Sequence, residues 1–382
     1  MKQIALVVGG GNGLGLTIVN HLLTSDYMKV YIVDRVEPNL ISDKIVFCKT
    51  NLINDDVLSD YEFGDVDTLI YTAGFGRVAH FEDIHEIEII NSFKVNVVAF
   101  IKLVKYFYAK IKSDTDFYTA VISSISGKVV SPLFSVYGST KSALSSFVES
   151  VNIELIKSKY DNRILEVSPG QLKGTSFYNE TTQLDLNADL SNVILRKMFN
   201  RELLYIPNYN ETYKDVISSY QNDWVKFGVS SYDYKLSRNR LSSNKQIIVG
   251  YLSGTFDLFH IGHLNLLRRA KLYCDYLIVG VHKDAKHKGK TAYIPFNERR
   301  EILESVKYVD KVIESLPEDD QVYEIYKYDF LFVGSDYKGT DRFNRYEEKF
   351  KDGRTKIIYL PYTKETSSTK LREFIDKTTK SD

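Results

Sequence analysis

The amino-acid sequence predicts an α/β protein: a Rossmann-type, doubly wound parallel sheet followed by a second, smaller Rossmann-like α/β domain. In the first half of the chain, short β-branched runs alternate with stretches of helical periodicity. These runs are apolar almost without alternation, which is typical of strands buried on both faces of a parallel sheet. The pattern begins again near residue 245, and 382 residues are enough for two or three domains.

Six strands are predicted in the first half: Ile4–Val8, Val30–Val33, Ile45–Cys48, Thr68–Tyr71, Ala120–Ser123 and Ile164–Val167. Helices lie between them, and the clearest begins near Val136. Its apolar side chains recur at helical spacing on one face; they are Leu144, Phe147, Val148, Val151 and Leu155. The alternation predicts a first domain over residues 1–235.

From Gly174 to Tyr234 the pattern weakens, and Tyr, Asn and Ser are frequent. We interpret this stretch as a loop-and-helix lid that completes the first domain, with one helix near Tyr213–Val225. Polar residues without periodicity at 236–244 predict a linker. Further strands, which predict a second domain over residues 245–382, are Gln246–Tyr251, Tyr276–Val281, Phe330–Val333 and Lys356–Leu360.

The charges balance, because Lys plus Arg is 50 and Asp plus Glu is 50. This argues against a protein that coats nucleic acid or an anionic membrane but allows a local basic pocket. Two cysteines, Cys48 and Cys274, cannot form a disulfide framework or a four-cysteine zinc site. The first strand begins at once, leaving no room for a secretory signal, and no apolar run approaches the roughly 18–20 residues of a membrane helix. We therefore expect a reduced, cytoplasmic protein.

Gly9, Gly13 and Gly15 lie in a turn between the first strand and a helix. Glycines permit a tight turn and let a pyrophosphate approach the unpaired N–H groups at a helix N-terminus. Asp34 closes the second strand about 20 residues later, where a carboxylate accepts hydrogen bonds from ribose hydroxyls. Taken alone, the glycines also fit a flexible turn, and Asp34 also fits a solvated loop acid.

Tyr137 and Lys141 are four residues apart and therefore share one helical face. An ammonium group near a phenol favours the phenolate and lowers a pKa that starts near 10. Such a tyrosine acts as an acid toward a carbonyl oxygen that receives hydride. Ser124 ends the preceding strand and can hydrogen-bond the same oxygen. By itself, a tyrosine and a lysine at this spacing more often belong to an ordinary surface.

Taken together, these motifs make residues 1–235 similar to the short-chain dehydrogenase/reductases. The matching segments are Gly9 to Gly15, Thr72-Ala-Gly74, Val95-Asn-Val97, Ser124-Ile-Ser-Gly127, Tyr137-Gly-Ser-Thr-Lys141 and Pro169-Gly170. The resemblance implies that Tyr137 is the general acid and base and that Lys141 lowers its pKa and holds the nicotinamide ribose. It also implies that Ser124 orients the carbonyl and that Asn96 maintains a proton-relay water. The implied cofactor-binding residues are Gly9, Asn12, Gly13, Leu14, Gly15, Asp34, Arg35, Asn51, Ala73, Gly74, Tyr137, Lys141, Pro169 and Gly170.

Two positions depart from this family's pattern: Val8 replaces the usual threonine, and Thr72 replaces the first asparagine of Asn-Ala-Gly. Both changes affect supporting hydrogen bonds rather than reacting groups. Asp34 indicates NADH, because a carboxylate repels a 2′-phosphate, whereas the adjacent Arg35 suits that phosphate. The sequence therefore leaves both NADH and NADPH open.

His260 and His263 follow a predicted strand and open a helix, with Gly262 between them. The helix end and the imidazoles suit phosphate oxygens, and the glycine allows a phosphate to approach closely. A zinc site needs a third ligand, and no suitable residue lies nearby with recognisable spacing. Chance histidines are the remaining alternative.

The segment from Ser253 to His263 resembles the signature of the HxGH nucleotidyltransferases, and residues 245–382 are similar to glycerol-3-phosphate cytidylyltransferases. The resemblance implies that His260, His263 and Lys288 contact the triphosphate of CTP, and that Arg299 completes the phosphate cradle. It also implies that Asp257 lies near the polyol. The implied CTP-binding residues are Gly254, Thr255, Phe256, His260, His263, Lys288, Asp336, Ser367, Ser368 and Thr369. The family's Arg-Thr-x-Gly appears here as Tyr362-Thr-Lys-Glu365, which suggests an acceptor other than glycerol phosphate.

The two resemblances together imply a bifunctional enzyme of CDP-alditol synthesis. The first domain reduces a keto sugar phosphate with NADH or NADPH, and the second transfers CMP from CTP, with Mg²⁺, to the alditol phosphate. The leading substrates are ribulose 5-phosphate and ribitol 5-phosphate, giving CDP-ribitol for capsule or teichoic acid; glycerol, arabinitol and mannitol are the alternative alditols. A regulatory NAD(P)-binding domain, or a second domain that adenylylates a nucleotide or flavin precursor, are the alternative functions. Both families commonly form homo-oligomers.

Overall fold

The computed structural model of the protein describes residues 3–53, 57–172, 182–238, 240–241, 248–284, 291–351, 353 and 355–361. The chain divides into two compact units, residues 1–243 and 244–382. Each unit is built on its own parallel sheet. The predicted α/β class with two parallel, Rossmann-like sheets is confirmed.

The strands of the first unit are β1 (Gln3–Val8), β2 (Tyr27–Asp34), β3 (Ile45–Lys49), β4 (Thr68–Tyr71), β5 (Tyr118–Ile122), β6 (Ile164–Val167) and β7 (Leu204–Tyr205). They are all parallel, in the order β3-β2-β1-β4-β5-β6-β7. Each of the six predicted strands overlaps one of them. The edge strand β7 has only two residues, too few to leave a periodic signal in the sequence.

Helices cover both faces of this sheet. They are α1 (Gly13–Thr24), α2 (Val57–Asp60), α3 (Glu86–Phe93), α4 (Ala99–Ile111), α5 (Ser135–Lys157), α6 (Ala188–Phe199), α7 (Lys214–Asn222) and α8 (Trp224–Ser237). On one face α4 and α5 bury Phe100 and Leu144, and on the other α1 and α6 bury Ile18 and Ile194. The central strands are apolar throughout because they meet a core on each side.

The stretch after Gly174 differs from the predicted lid with one helix. Residues 174–181 lie outside the described residues. Beyond them, α6 packs on the sheet through Ile194 and Met198, which are buried in the core beside α1. The predicted helix near Tyr213–Val225 is in fact two helices, α7 and α8, because the Asp223 carboxylate accepts a hydrogen bond from the Lys226 N–H and starts a new helix.

The second unit has five parallel strands: β8 (Val249–Gly254), β9 (Tyr276–Val281), β10 (Lys311–Glu314), β11 (Phe330–Gly334) and β12 (Lys356–Leu360). Their order is β10-β9-β8-β11-β12. Four of them overlap predicted strands; β10 does not, since it is short and only one of its residues is fully buried. The helices are α9 (Ile261–Lys271), α10 (Phe296–Glu304), α11 (Asp319–Tyr326) and α12 (Asp341–Lys349).

Each sheet has one point at which the strand order reverses, and open α/β sheets bind ligands in the crevice at the carboxyl ends of the strands there. In the first unit this point lies between β1 and β4, which lead into Gly9 and Thr72. In the second it lies between β8 and β11, which lead into Thr255 and Ser335. The motifs singled out in the sequence therefore meet at these two crevices.

Cys48 and Cys274 are both buried, and neither forms a disulfide. Burial raises the pKa of the Cys48 thiol to about 11 and that of the Cys274 thiol to about 12. Within the described part of the chain, no helix is both long and apolar enough to span a bilayer. Over the same residues, no three His, Cys, Asp or Glu side chains are grouped so as to hold a metal ion.

Candidate active sites

The glycine-rich turn after β1 brings the backbone of β1 against the loop after β4. Gly9 has a φ of +88°, a conformation that favours glycine, and a Cβ built there would lie 2.5 Å from the Ala73 nitrogen. At Gly15, a Cβ would lie 2.1 Å from the Gly9 carbonyl oxygen. The Gly13 N–H at the start of α1 donates to the Thr182 hydroxyl at 2.8 Å. The N-terminus of α1 therefore faces a crevice in which a polar oxygen already lies against its N–H groups.

Asp34 lies beside this turn at the end of β2. One oxygen of its carboxylate accepts a hydrogen bond from the Gly11 N–H at 2.8 Å, and the other accepts from the Val36 N–H at 3.1 Å. Arg35 is exposed. The side-chain oxygen of Asn51, two residues after β3, accepts from the Ile53 N–H at 3.2 Å. The Asp34 carboxylate is thus held in place by backbone donors and keeps lone pairs for further donors.

Tyr137 and Lys141 lie one turn apart on α5, as their spacing predicts. The Lys141 Nζ lies 5.5 Å from the centre of the Tyr137 ring and donates to the Ile122 carbonyl at 2.8 Å. The ring of Phe134 stacks on that of Tyr137 with centroids 4.2 Å apart. Lys141 is buried, and burial lowers the pKa of its ammonium to about 8. The phenol therefore has a fixed orientation and a cation at close range.

The carboxylate of Glu166 on β6 lies behind this pair, and sequence reasoning missed it. Glu166 is buried and partly opposes the lowering of the Lys141 pKa. Its carboxylate accepts hydrogen bonds from the Ser145 and Ser168 hydroxyls, and Lys128 pairs with it at 3.1 Å. The available signal was a single acidic residue in the otherwise apolar strand Ile164–Val167.

Asn96 lies in a short π-helix, Lys94–Val98, between α3 and α4. Its side-chain amide donates to the Phe75 carbonyl and the Thr140 hydroxyl, both at 2.9 Å, and accepts from the Phe75 N–H at 3.0 Å. A Cβ at Gly74 would lie 3.2 Å from the Lys141 Nζ and 3.3 Å from the Asn96 Oδ1. Asn96, Gly74 and Lys141 therefore converge on one point. Inserted π-turns of this kind often lie at functional sites.

Ser124 lies two residues after β5, which ends at Ile122. Its hydroxyl accepts from the Ser126 N–H at 3.2 Å and keeps its own proton to donate. The next residue, Ile125, donates its N–H to the Pro169 carbonyl at 2.9 Å. The pair Pro169 and Gly170 is thereby fixed beside Ser124.

In the second unit, His260 forms the N-cap of α9. Its Nδ1 accepts a hydrogen bond from the Gly262 N–H at 3.0 Å, so the neutral ring carries its proton on Nε2. Burial lowers the pKa of His260, which favours this neutral form. The rings of His260 and His263 stack with centroids 4.0 Å apart, and Phe256 packs edge-on against His263. Both imidazoles are therefore fixed at one helix start.

Arg299 on α10 is buried and binds backbone rather than facing solvent. Its guanidinium donates to four carbonyls, those of Thr255, His282, Lys283 and Ile294. Burial lowers the pKa of this guanidinium, and the carboxylates of Asp257 and Asp284 oppose that effect.

Asp257 is buried like Arg299 and also bonds backbone groups, but as an acceptor. Its carboxylate oxygens accept hydrogen bonds from the Tyr293 and Ile294 N–H groups at 3.0 and 2.9 Å. Arg299 and Asp257 therefore connect the loop before His260, residues 255–259, to the segments 282–283 and 293–294.

The remaining predicted residues of the second unit divide into two groups. Gly254 ends β8, Thr255 follows it, and Asp336 follows β11 across the reversal point, so these three lie at one edge of the sheet. The Thr255 hydroxyl is buried and forms no hydrogen bond within the described residues. Outside the described residues lie Lys288, Ser367, Ser368 and Thr369.

Two family models match the chain, one for each unit. The model described as short chain dehydrogenase matches residues 3–185, and the model described as cytidylyltransferase-like matches residues 251–374. Glycerol-3-phosphate cytidylyltransferase of Bacillus subtilis is 38% identical over 126 residues, which cover 32% of this chain and 92% of that protein. The chain therefore carries a short-chain dehydrogenase domain, and its second unit belongs to the cytidylyltransferases. The chain is a short-chain dehydrogenase joined to a cytidylyltransferase, an enzyme that combines a reduction with a cytidylyl transfer.

Two other similarities differ in identity and in the share of the chain that they cover. FAD synthase of Archaeoglobus fulgidus is 43% identical over 88 residues, which cover 22% of this chain and 63% of that protein. Among solved structures, a short chain dehydrogenase from Burkholderia cenocepacia in complex with NADP aligns with a TM-score of 0.47 and 18% identity. That alignment covers 57% of this chain and 97% of the other.

Proposed function

We propose that this short-chain dehydrogenase–cytidylyltransferase makes a CDP-alditol in two steps. The first unit reduces a keto sugar phosphate, for which ribulose 5-phosphate is our leading candidate, to an alditol phosphate. The second transfers CMP from CTP to that phosphate, which gives CDP-ribitol and pyrophosphate. The observation that carries the proposal is that one chain holds Tyr137 beside the buried Lys141 and Asn96, together with a stacked His260–His263 pair.

The crevice of the first unit fits a nicotinamide dinucleotide. Side chains larger than hydrogen at Gly9 and Gly15 would clash with the neighbouring backbone, so the turn lies close to the N-terminus of α1, where N–H groups bind phosphate. We assign the pyrophosphate to residues 12–15, the adenosine ribose to Asp34 and the nicotinamide ribose to Lys141. When bound, the reduced dinucleotide supplies hydride. The fixed Asp34 carboxylate favours NADH over NADPH, because it repels a 2′-phosphate.

The proton for the new hydroxyl comes from Tyr137 in this proposal. Its phenol donates to the substrate carbonyl oxygen as negative charge develops there, and Lys141 stabilises the resulting phenolate. The Ser124 hydroxyl donates to the same oxygen and fixes its position. Asn96 is held by hydrogen bonds to the Phe75 backbone and the Thr140 hydroxyl, and we assign to it the role of maintaining a proton-relay water near Lys141.

In the second unit the alditol phosphate oxygen attacks the α-phosphorus of CTP, the bond to the β-phosphate breaks, and pyrophosphate leaves. His260 donates through Nε2, because its Nδ1 is occupied by the Gly262 N–H. Its proton and the N-terminus of α9 stabilise negative charge on the phosphates. Mg²⁺ accompanies the triphosphate and lowers its charge. Lys288 and residues 367–369 complete the phosphate contacts in our assignment.

Two other functions make different predictions. If the first unit only regulates, Tyr137→Phe does not change the rate of NADH oxidation in the presence of the keto sugar phosphate. If the second unit adenylylates a nucleotide or flavin precursor, as the name of the archaeal relative suggests, pyrophosphate appears with ATP rather than CTP. Glycerol, arabinitol and mannitol phosphates are the alternative acceptors.

A substrate panel tests the proposal. The purified chain is incubated with CTP, Mg²⁺, NADH or NADPH, and several keto sugar phosphates, and the product is identified by its mass. Tyr137→Phe should abolish the reduction and spare CTP turnover on a supplied alditol phosphate, whereas His263→Ala should do the reverse, so each variant is the control for the other. A panel that yields no CDP-alditol would refute the combined function.

A further inference from the structure

The carboxyl end of α8 carries a group of cations beside the reductase crevice. Helix α8 lies across one side of that crevice: Lys235 donates to the Ser131 hydroxyl and the Pro132 carbonyl, at 3.0 and 2.7 Å. These two residues lead directly to α5 and Tyr137. On the other side, Tyr232 packs against His80, in the segment that follows Gly74. The end of α8 therefore contacts both the segment that leads to Tyr137 and the segment that follows Gly74.

Arg240 follows this helix and reaches back to the crevice. Its backbone N–H donates to the Lys235 carbonyl at 3.0 Å, and its guanidinium donates to the Gln171 side-chain oxygen at 2.6 Å. The guanidinium also stacks over the Tyr234 ring at 5.1 Å. Gln171 comes directly after Gly170, which is fixed beside Ser124. Hydrogen bonds thus fix both the backbone and the guanidinium of Arg240, and the guanidinium has further N–H groups that can donate.

Tyr213 lies close to Gln171 as well, because it contacts the preceding residue, Gly170. Its hydroxyl lies against Gly170, since a Cβ built there would be 1.6 Å from it. Burial raises the pKa of Tyr213, while the charge of Arg240 opposes the rise. The phenol therefore stays protonated near neutral pH and acts as a hydrogen-bond donor.

The charge at this place is not balanced. The ammonium of Lys235 is buried and bonds only neutral oxygens, those of Ser131, Pro132 and Ser231. Neither Lys235 nor Arg240 forms an ion pair with any carboxylate in the described part of the chain. Burial and the neighbouring Arg240 lower the pKa of Lys235 to about 8, which is the effect of a cation without a counter-ion. An anion at this place would be stabilised by both side chains.

We propose that Arg240, Gln171 and Tyr213 form a subsite for the phosphate group of the reductase substrate, with the Lys235 charge beneath it. An arginine fork and a phenol match phosphate oxygens in shape and in hydrogen-bonding type. Gly170 and Gln171 follow Pro169, which is bonded to the residue after Ser124, so a phosphate held here would leave the carbonyl end of an extended chain to face Ser124 and Tyr137. This inference rests on the proposed reduction of a keto sugar phosphate.

Arg240→Met tests the subsite, and Arg238→Met is its matched control. Arg238 stacks on the same Tyr234 ring at 5.8 Å but forms no described contact with Gln171. We expect Arg240→Met to raise the KM for the keto sugar phosphate about ten-fold or more, with kcat within about two-fold of wild type. The KM for NADH and for the unphosphorylated ketose should not change. Arg238→Met should resemble wild type in all of these.

Inorganic phosphate supplies a second measurement that does not depend on the sugar. It should inhibit the wild-type reduction in competition with the keto sugar phosphate, and this inhibition should be lost in Arg240→Met. If Arg240→Met does not fold, Arg240→Lys keeps the charge without the fork and should give an intermediate KM. Unchanged KM and unchanged phosphate inhibition would overturn the subsite, as would an equal rise in KM for the unphosphorylated ketose. A wild-type enzyme that reduces another carbonyl but shows Arg240-dependent phosphate inhibition would instead refute the substrate and keep the subsite.

Discussion

Replacing Lys141 by methionine should stabilise the first unit while it abolishes the reduction. Burial holds the pKa of this ammonium at about 8 instead of 10.5. Keeping the charged form in the folded protein at pH 7 therefore costs about 3 kcal/mol. Methionine removes this cost but leaves the Ile122 carbonyl without its donor, a loss of about 1 kcal/mol. We expect the free energy of unfolding at pH 7 to rise by about 2 kcal/mol.

The pH dependence separates this cause from a simple packing effect. Between pH 8 and 10.5 the unfolded chain still binds the lysine proton and the folded protein does not, so wild-type stability rises with pH. The advantage of Lys141→Met should therefore shrink by about 2 kcal/mol from pH 7 to pH 9.5. Below pH 8 both states bind the proton, and the difference between variant and wild type should stay constant.

Denaturant unfolding of the whole chain, followed by tryptophan fluorescence, measures this effect. Trp224 is the one tryptophan of the sequence and lies on α8, so the signal reports on the first unit. Lys110→Met is the control, because Lys110 also donates to backbone carbonyls, those of Gly64 and Val66, but near the surface. A Lys141→Met protein that is less stable than wild type at pH 7, or a difference that stays constant from pH 7 to 9.5, would refute the reasoning.

Three further predictions concern the other buried or fixed charges. Glu166→Gln removes the carboxylate that opposes the lowering of the Lys141 pKa, so the alkaline limb of the reductase pH profile should move to lower pH; Glu149→Gln, at the exposed partner of Lys128, should leave the profile in place. Asp34→Ala should raise the KM for NADH about ten-fold and that for NADPH far less, and an equal rise for both would contradict the ribose assignment. Arg299→Met should lower the melting temperature of the second unit and its CTP turnover while NADH oxidation persists, because four carbonyls lose their donor; Arg300→Met, at an exposed ion pair with Glu304, should change neither. A normal CTP turnover in Arg299→Met would show that these bonds are dispensable.

The sequence predicts the strand framework and the Tyr137–Lys141 pair because both follow from short-range periodicity. Buried strands are apolar runs, and residues four apart on a helix must share a face. Helix α6 is less visible in the sequence, since its buried positions are few and lie among charged and polar residues. Its assignment to the core depends on contacts with α1, which no local pattern reports.

The hydrogen bonds that position the residues of the two sites join segments far apart in the sequence. Short-range patterns therefore do not predict them. Arg299 bonds residues 44 and 17 positions away in the chain, and Glu166 bonds Ser145 across 21 positions. The position of Asn96 depends on a π-helix, which differs from an α-helix by one inserted residue and has no distinctive composition. In each case the sequence gives the residue type but does not predict its hydrogen-bond partners.

Three buried cations are held by backbone carbonyls rather than by carboxylates in direct contact. Lys141, Lys235 and Arg299 all donate to main-chain oxygens, and burial lowers the pKa of each. A neutral oxygen fixes the position of a donor without cancelling its charge, so the field of the cation remains available to a phenolate or a phosphate. The desolvation cost of each cation falls when an anionic group binds beside it. Binding of an anionic substrate should therefore raise the free energy of unfolding of this enzyme.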